Sequence, residues 1–450
     1  MLLIDRNGGE KIYLQLYRQI RAEIETSVRQ PGQAMPSTRY LSQELAVSRN
    51  TVDHAYQDLV AEGYLVSRPG AGYHVTHHLP FVVEEKPATQ RSVHRGAFQY
   101  DFTENFDYLR LFPKQAWLSA EERVMSHGIE HIQPVNGDLE YRQQLVTYLN
   151  RLKNIDVTPE QIVITSGFNE AASIIARLMP EWRKTTLAVA EPVAPNARDV
   201  WTSLNIPTMP FRDWQRLPKT AAYLLAPTHN FPSGEGLSMA QRQELAHKLL
   251  ADDCYLIELD TDGSLSYSGQ AAPAIFHEMG GQNCFYYTNY DETLGSSLCL
   301  GVLVLPEALV ASFQTTYRHL PNRNSQWQQQ ILSQLIANDD LERFIRQLTI
   351  VYNNRRQLIN SLVAETFGDK LTPMGAAAGS FAVFHVNSDA TVDHLIDVAG
   401  QAGVGLVNPD RCWRNRKPAY KSIVFSFRQT DDDHIIAGIK VLAQAWSAIL

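Results

Sequence analysis

Cysteine is scarce in this chain and badly spaced for chemistry. The four residues Cys254, Cys284, Cys299 and Cys412 form no C-x-x-C pair. That excludes a disulfide framework or a zinc ribbon and suits a reducing compartment. Long apolar runs are also missing: no stretch of 18 apolar residues exists to span a bilayer. The opening MLLIDRNGGEKIYLQ carries charges where a signal peptide has its apolar centre, so the expectation is a cytoplasmic protein. Metal-ligand spacing is absent too; His77-His78 is a solvated pair in a polar stretch, and no metal is expected. An excess of positive charge is lacking, with net charge −8. The deficit is uneven, because residues 1–76 hold eight basic and eight acidic side chains and the remainder carries the surplus acid. A DNA reader needs positive charge on one face only, so the overall sign excludes nothing. At 450 residues the chain is long enough for two or three folding units that need no covalent staples.

What is present begins with helical periodicity. Tyr13, Leu16, Tyr17, Ile20 and Ile24 recur on one face of a first helix, which Gln30-Pro31-Gly32 ends. Ser37 is placed to cap a second short helix carrying Leu41 and Leu45. After a turn at Ala46-Val47, Ser48 caps a third helix from Arg49 to about Glu62, with Val52, Tyr56, Leu59 and Val60 inward and Gly63 as its stop. Two short helices around a tight turn are a helix-turn-helix. The stretch from Tyr64 to Val75, with Pro69-Gly70-Ala71-Gly72 in its middle, predicts a two-stranded wing. The third helix then exposes Arg49, Asn50 and Thr51 in its first turn and His54 one turn on, donors suited to phosphates and base edges.

These residues resemble the GntR-type winged helix across positions 11–76, through P-S-x-R, S-R-x-T-V, L-x-x-E-G and the G-x-G of the wing. The resemblance implies that Arg39, Arg49, Thr51 and Gly70 contact DNA. With Ser48, Asn50, His54 and Arg68 they make up the expected DNA-binding set. One departure is Asp53-His54, where the family often has arginine.

Residues 77–100 show no periodicity and read as a linker. From 101 to 450, short apolar runs at 161–165, 187–190, 222–226, 254–257 and 300–305 alternate with helical patterns such as 239–250. This is an α/β unit with a mostly parallel sheet, followed after about residue 350 by a smaller α+β subdomain with strands near 380–386 and 423–427. LFPKQAW (111–117), the Asn136-Gly137 turn, VITSGFNEAASIIARL (163–178), APTHNFPSG (226–234), IELDTD (257–262) and YYTNYDETLGSSLCLGVLVLP (286–306) stand in the order of a fold-type I aminotransferase. The tandem resembles the MocR/GabR branch of GntR regulators over essentially the whole chain. It implies domains at 1–76, a linker at 77–100 and an aminotransferase-like unit at 101–450. It also implies a homodimer on double-stranded DNA, with the large unit serving dimerisation and the sensing of an effector or partner.

The same resemblance implies that the pyridoxal-phosphate site is degenerate. The family's F-S-K-T-L-x-P-G-L-R-L-G aligns with residues 290–301, which puts Glu292 at the Schiff-base lysine, Asp291 at a phosphate-binding serine and Cys299 at a phosphate-binding arginine. Thr261 stands where E-D-D-Y has its tyrosine, and one of that motif's two central acids is gone. Glu191-Pro192-Val193-Ala194 lacks the tyrosine of E-D-P-G-Y. Val424 takes the place of the substrate-clamping arginine, with Arg428 expected on the opposite face of a strand. A carboxylate forms no aldimine, and one like-charge pair about 5 Å apart costs on the order of 3 kcal/mol at an effective dielectric near 20. The expectation is no catalytic residue, no pyridoxal phosphate and no enzyme activity. Non-covalent binding of the cofactor or another small ligand is the alternative, as is an active aminotransferase if Lys370 or Lys421 serves instead. Ser166-Gly167-Phe168-Asn169 at a helix start and His229-Asn230 are the polar elements left to hold a ligand or simply the fold.

Overall fold

The computed structural model describes residues 4–6, 9–26, 28–77, 98–103, 111–129, 131–267, 272–375, 378–414, 418–428 and 430–450. The chain divides into two compact units, Met1–Arg95 and Gly96–Leu450. Most of the expected linker, 78–97, lies outside the described residues.

The first unit packs α1 (Ile12–Glu25), α2 (Thr38–Glu44) and α3 (Arg49–Ala61) against a hairpin of β1 (Leu65–Arg68) and β2 (Gly72–Val75). Leu16, Ile20 and Ile24 of α1 meet Val52, Tyr56 and Leu59 of α3 and Leu65 and Val75 of the hairpin in one buried cluster. Both predicted caps form: the Ser37 hydroxyl accepts from the Tyr40 amide and that of Ser48 from the Thr51 amide, each at 3.1 Å. Each satisfies an amide that has no partner inside its helix. Gly63 follows α3 at φ +81°, a left-handed turn that costs a glycine little. Tyr64 then donates to Glu25 at 2.6 Å, tying the start of the wing to α1.

The second unit opens with β3 (Tyr100–Phe102), α4 (Lys114–His127) and α5 (Leu139–Lys153), and continues with β4 (Ile162–Thr165), α6 (Phe168–Leu178), β5 (Leu187–Ala190), α7 (Pro195–Ser203), β6 (Thr208–Phe211) and β7 (Ala222–Leu225). Then come α8 (Met239–Ala251), β8 (Tyr255–Leu259), α9 (Ile275–Glu278), β9 (Cys284–Asn289), β10 (Gly301–Val304), α10 (Val310–Tyr317), α11 (Gln326–Ala337) and the long α12 (Asp340–Phe367). The subdomain is β11 (Leu371–Met374), β12 (Phe381–Val386), α13 (Val392–Gln401), β13 (Val404–Leu406), β14 (Ser422–Ser426) and α14 (Asp432–Trp446). Tyr100, assigned to the linker from sequence, pairs instead with Val404 in a short parallel ladder of β3 and β13.

Seven strands form one sheet in the order β4-β10-β9-β8-β7-β5-β6, parallel except for β10, which runs against both neighbours. Successive residues alternate between two cores. Leu256 and Tyr286 join one, while Ile257, Leu259, Phe285 and Tyr287 join the other, as the pleat requires. Ligands of open α/β sheets sit beyond the carboxyl ends of the strands. β11, β12 and β14 make a separate antiparallel sheet. At the Asn136-Gly137 turn, Gly137 adopts φ +105° and a Cβ there would stand 2.5 Å from Ile164 Cγ1. A side chain would therefore lift the turn off the sheet, and Asp138 next to it caps α5 by accepting from the Tyr141 amide at 3.1 Å.

Candidate functional site

Two surfaces carry the residues singled out from sequence. On the first unit, Arg49 is 67% exposed, and Asn50, Arg39 and Arg68 are exposed with it. Arg49 is tethered on its own surface, Nε lying 3.4 Å from the Thr38 hydroxyl and 3.7 Å from Asp53. Asp53, the departure from the family pattern, thus holds back part of the guanidinium's charge. The Ser48 and Thr51 hydroxyls lie 2.8 Å apart and spend themselves on the α3 cap. They shape the helix start before they can read a base. His54 does not project freely, because its ring stacks on Tyr13 at 4.2 Å and 19° with Nε2 4.0 Å from Asp58. Gly70 sits at the wing tip at φ +76° with nothing within 4 Å of where a Cβ would point, leaving backbone open to an approaching phosphate. Sequence inspection missed Arg6, whose Nη2 donates to the carbonyls of Leu45 and Ala46 at 3.2 and 2.9 Å. Those carbonyls belong to the C-cap residue of α2 and the residue after it, where a cation complements the helix dipole.

The second surface is a cavity of about 450 Å³ at the carboxyl ends of β4, β5, β7, β8 and β9. Asp291, Glu292 and Thr261 line it; Cys299 and Val424 do not. Cys299 is exposed, with Sγ 3.5 Å from the Ser296 carbonyl. Val424 is buried in the apolar cluster of Phe381, Val383 and Val407. Strand alternation explains the central acids. Leu259 and Thr261 face the cavity, while Glu258 and Asp260 point into the opposite core. The acid that survives in the E-D-D-Y landmark is therefore out of reach: Asp260 pairs with the buried Lys153 at 2.7 Å and accepts from Tyr286 at 2.7 Å. Burial pushes the Asp260 carboxyl up, but Lys153 and its hydrogen-bond donors outweigh it and hold it below the usual range.

Glu292 is not bare. The Ser380 hydroxyl donates to Oε2, and Arg428 Nη1 lies 3.3 Å from Oε1. The expectation that Arg428 faces away is corrected here. β14 ends at Ser426, so alternation no longer governs residue 428, and Arg428 also donates to the Asp291 carbonyl at 2.9 Å. Asp291 accepts from the Asn289 amide at 2.8 Å. Asp262, which drew no attention in the sequence, lines the cavity and holds His229 Nδ1 at 2.5 Å, with the His229 ring 4.4 Å from Phe381. Of the helix-start amides at 166–169, that of Ser166 is taken by Glu170 at 2.6 Å, an acid set where an anion would otherwise sit.

The donor set does not fit pyridoxal phosphate. Among the described residues no lysine or arginine lines the cavity, while three carboxylates do. Leu259 is the residue that the end of β8 presents, and an apolar side chain cannot partner a pyridinium nitrogen. Lys421 donates to the Ser388 and Ala390 carbonyls, away from the cavity, and Lys370 sits in a short turn before β11. Neither lines the cavity.

Family models match the chain twice: bacterial regulatory proteins of the gntR family over residues 12–75, and aminotransferase class I and II over residues 101–262. The HTH-type pyridoxine biosynthesis transcriptional regulator PdxR of Corynebacterium glutamicum is 26% identical, over 93% of this chain and 92% of its own. The probable rhizopine catabolism regulatory protein MocR of Rhizobium meliloti is 24% identical, over 100% of this chain and 96% of its own. Among solved structures, the Pyrococcus horikoshii kynurenine aminotransferase superposes with TM-score 0.69 at 17% identity, over 79% of this chain and 92% of that one. It shares the fold. Among the described residues no helix is long and apolar enough to cross a membrane.

Proposed function

The chain belongs to the MocR-type GntR regulators, a winged helix joined to an aminotransferase-like unit, and from that premise we propose a cytoplasmic transcription regulator that grips double-stranded DNA as a homodimer and performs no transamination. One observation carries the DNA half. The capped first turn of α3 displays Arg49 and Asn50 beside an open wing bearing Arg68 and Gly70. In helix-turn-helix proteins that turn enters the major groove while the wing reaches phosphate. In this proposal Arg39, Arg49, Asn50 and Arg68 make the contacts, Ser48 and Thr51 hold the helix start, Gly70 lets phosphate approach and His54 acts from the rim. Paired winged helices suit two half-sites related by a two-fold axis.

The large unit has then given up covalent pyridoxal phosphate and serves dimerisation and the sensing of a small molecule or partner. What supports this is Glu292: a carboxylate paired to Arg428 occupies the position aligned with the Schiff-base lysine. The test has two arms. Fluorescence anisotropy on the operator upstream of the protein's own or neighbouring gene should show affinity falling with salt, with Arg49→Ala weaker. Incubation with excess pyridoxal phosphate, borohydride reduction and peptide mapping should leave no lysine of the large unit modified. DNA affinity unchanged by Arg49→Ala sinks the first arm, and a mapped pyridoxyl-lysine sinks the second.

A further inference from the structure

The cavity is built from features that together select for one kind of ligand. Its charged lining is acidic: Asp262, Asp291 and Glu292 contribute carboxylates, and among the described residues no lysine or arginine contributes a lining side chain. Its walls are aromatic and arranged in corners. Phe231 meets Phe381 at 86° with centroids 5.0 Å apart, and Phe168 meets Tyr287 at 64° and 5.1 Å. Rings set edge to face offer a guest one face and one edge, and the faces carry the negative part of the ring quadrupole. Carboxylates and ring faces attract the same thing, a cation. An anionic phosphate meets repulsion from both.

Tyr287, wholly buried, adds a phenol to the lining beside Asn289 and Asp291. The opening lies within the range that small-molecule sites occupy.

We propose that this cavity binds a small organic cation, a primary or quaternary ammonium compound, without covalent attachment. The ammonium group lies between the Asp291 and Glu292 end and the aromatic corners, and the rest of the molecule rests on Phe231 and Phe381. Arg428 and His229 hold Glu292 and Asp262 in place; they are positioning residues and do not touch the guest. This assignment rests on the reading of the large unit as a ligand-sensing rather than a catalytic body.

The test uses the full chain and calorimetry at low salt with choline, phenethylamine and, as a neutral isostere of choline, 3,3-dimethylbutanol. The expected result is that choline binds at least about tenfold more tightly than the isostere, that phenethylamine competes with it, and that pyridoxal phosphate does not. Asp291→Asn, with melting behaviour unchanged, should reduce the preference for the cation by about tenfold. Two results overturn the proposal: an isostere that binds as well as choline, or millimolar cations that fail to bind the folded wild-type chain. The isostere comparison needs no variant, so it stands even if Asp291→Asn fails to fold. A borohydride-fixed pyridoxyl-lysine would instead overturn the underlying non-catalytic reading, which keeps the two failures apart.

Discussion

Removing Arg428 isolates the ion pair on which the proposed non-catalytic reading of the large unit rests. Arg428 Nη1 stands 3.3 Å from Glu292, with side chains 15% and 24% exposed. At that distance and an effective dielectric near 20, the attraction is about 5 kcal/mol. Desolvating two ions offsets most of this, so the pair contributes little relative to apolar replacements. Losing one partner is different. Arg428→Ala leaves Glu292 beside Asp291 with the Ser380 hydroxyl as its remaining donor among the described residues, and it also strips the Asp291 carbonyl of a donor. Breaking a fully buried pair costs about 3–5 kcal/mol; residual exposure here lowers the expectation to about 2 kcal/mol. Glu292→Gln keeps a polar group in place and should cost under about 1 kcal/mol. The double variant should recover most of the Arg428→Ala loss. All seven tryptophans lie in the large unit, so urea denaturation followed by tryptophan fluorescence reports on the right body. A double-mutant cycle with coupling below about 0.5 kcal/mol refutes the pairing as an energetic unit.

Other outcomes follow from the same geometry. Arg49→Ala should weaken operator binding by about 1–3 kcal/mol if the guanidinium reads a base, or lower the salt slope with specificity intact if it meets only phosphate; Asp53→Ala, which releases Arg49, should strengthen non-specific binding. The Tyr64 hydroxyl and then Arg21 hold the Glu25 carboxyl below the ordinary glutamate value of 4.5. A lowered native value means stability is present above 4.5 and is lost as pH falls through the native value, so hydrogen exchange across α1 and the wing should accelerate in that acid range, and Glu25→Gln should flatten the dependence. Light scattering at micromolar concentration should give twice the monomer mass of 50.8 kDa; a monomer would count against paired half-sites. Gly137→Ala forces a Cβ to 2.5 Å from Ile164 and should cost about 1–3 kcal/mol in the same urea assay.

Much of the first unit was legible because its signals are local. Caps act within three residues and amphipathic faces within two turns, so Ser37, Ser48, Leu16 and Leu59 announced their places. The strands missed in the large unit show why the rest was harder. β6 contains Pro210, which argues against a strand unless it lies on an edge, and β6 is the edge. β9 was hidden inside a recognised motif, and β3 and β13 are three residues each, too short to show a period.

The candidate cavity divides along the same line. Sequence by itself determined which residue types stand in these motifs, and the family resemblance pointed to Asp291, Glu292, Thr261 and Val424. It also determined that Asp260 is the acid left in its motif. Only the tertiary structure decided which way each one faces. The β8 pleat turns Leu259 and Thr261 toward the cavity and Asp260 toward Lys153. The chain leaves β14 before Arg428, freeing that side chain to reach Glu292 across 136 positions of sequence. The same folding brings Phe168, Phe231, Phe381 and Tyr287 from four separate segments into two edge-to-face corners. Propensity, capping and alternation act over a few residues and can be read in order along the chain. Charge compensation and the walls of a cavity depend on which distant segments the packed cores bring within a few ångströms, and no local pattern encodes that distance.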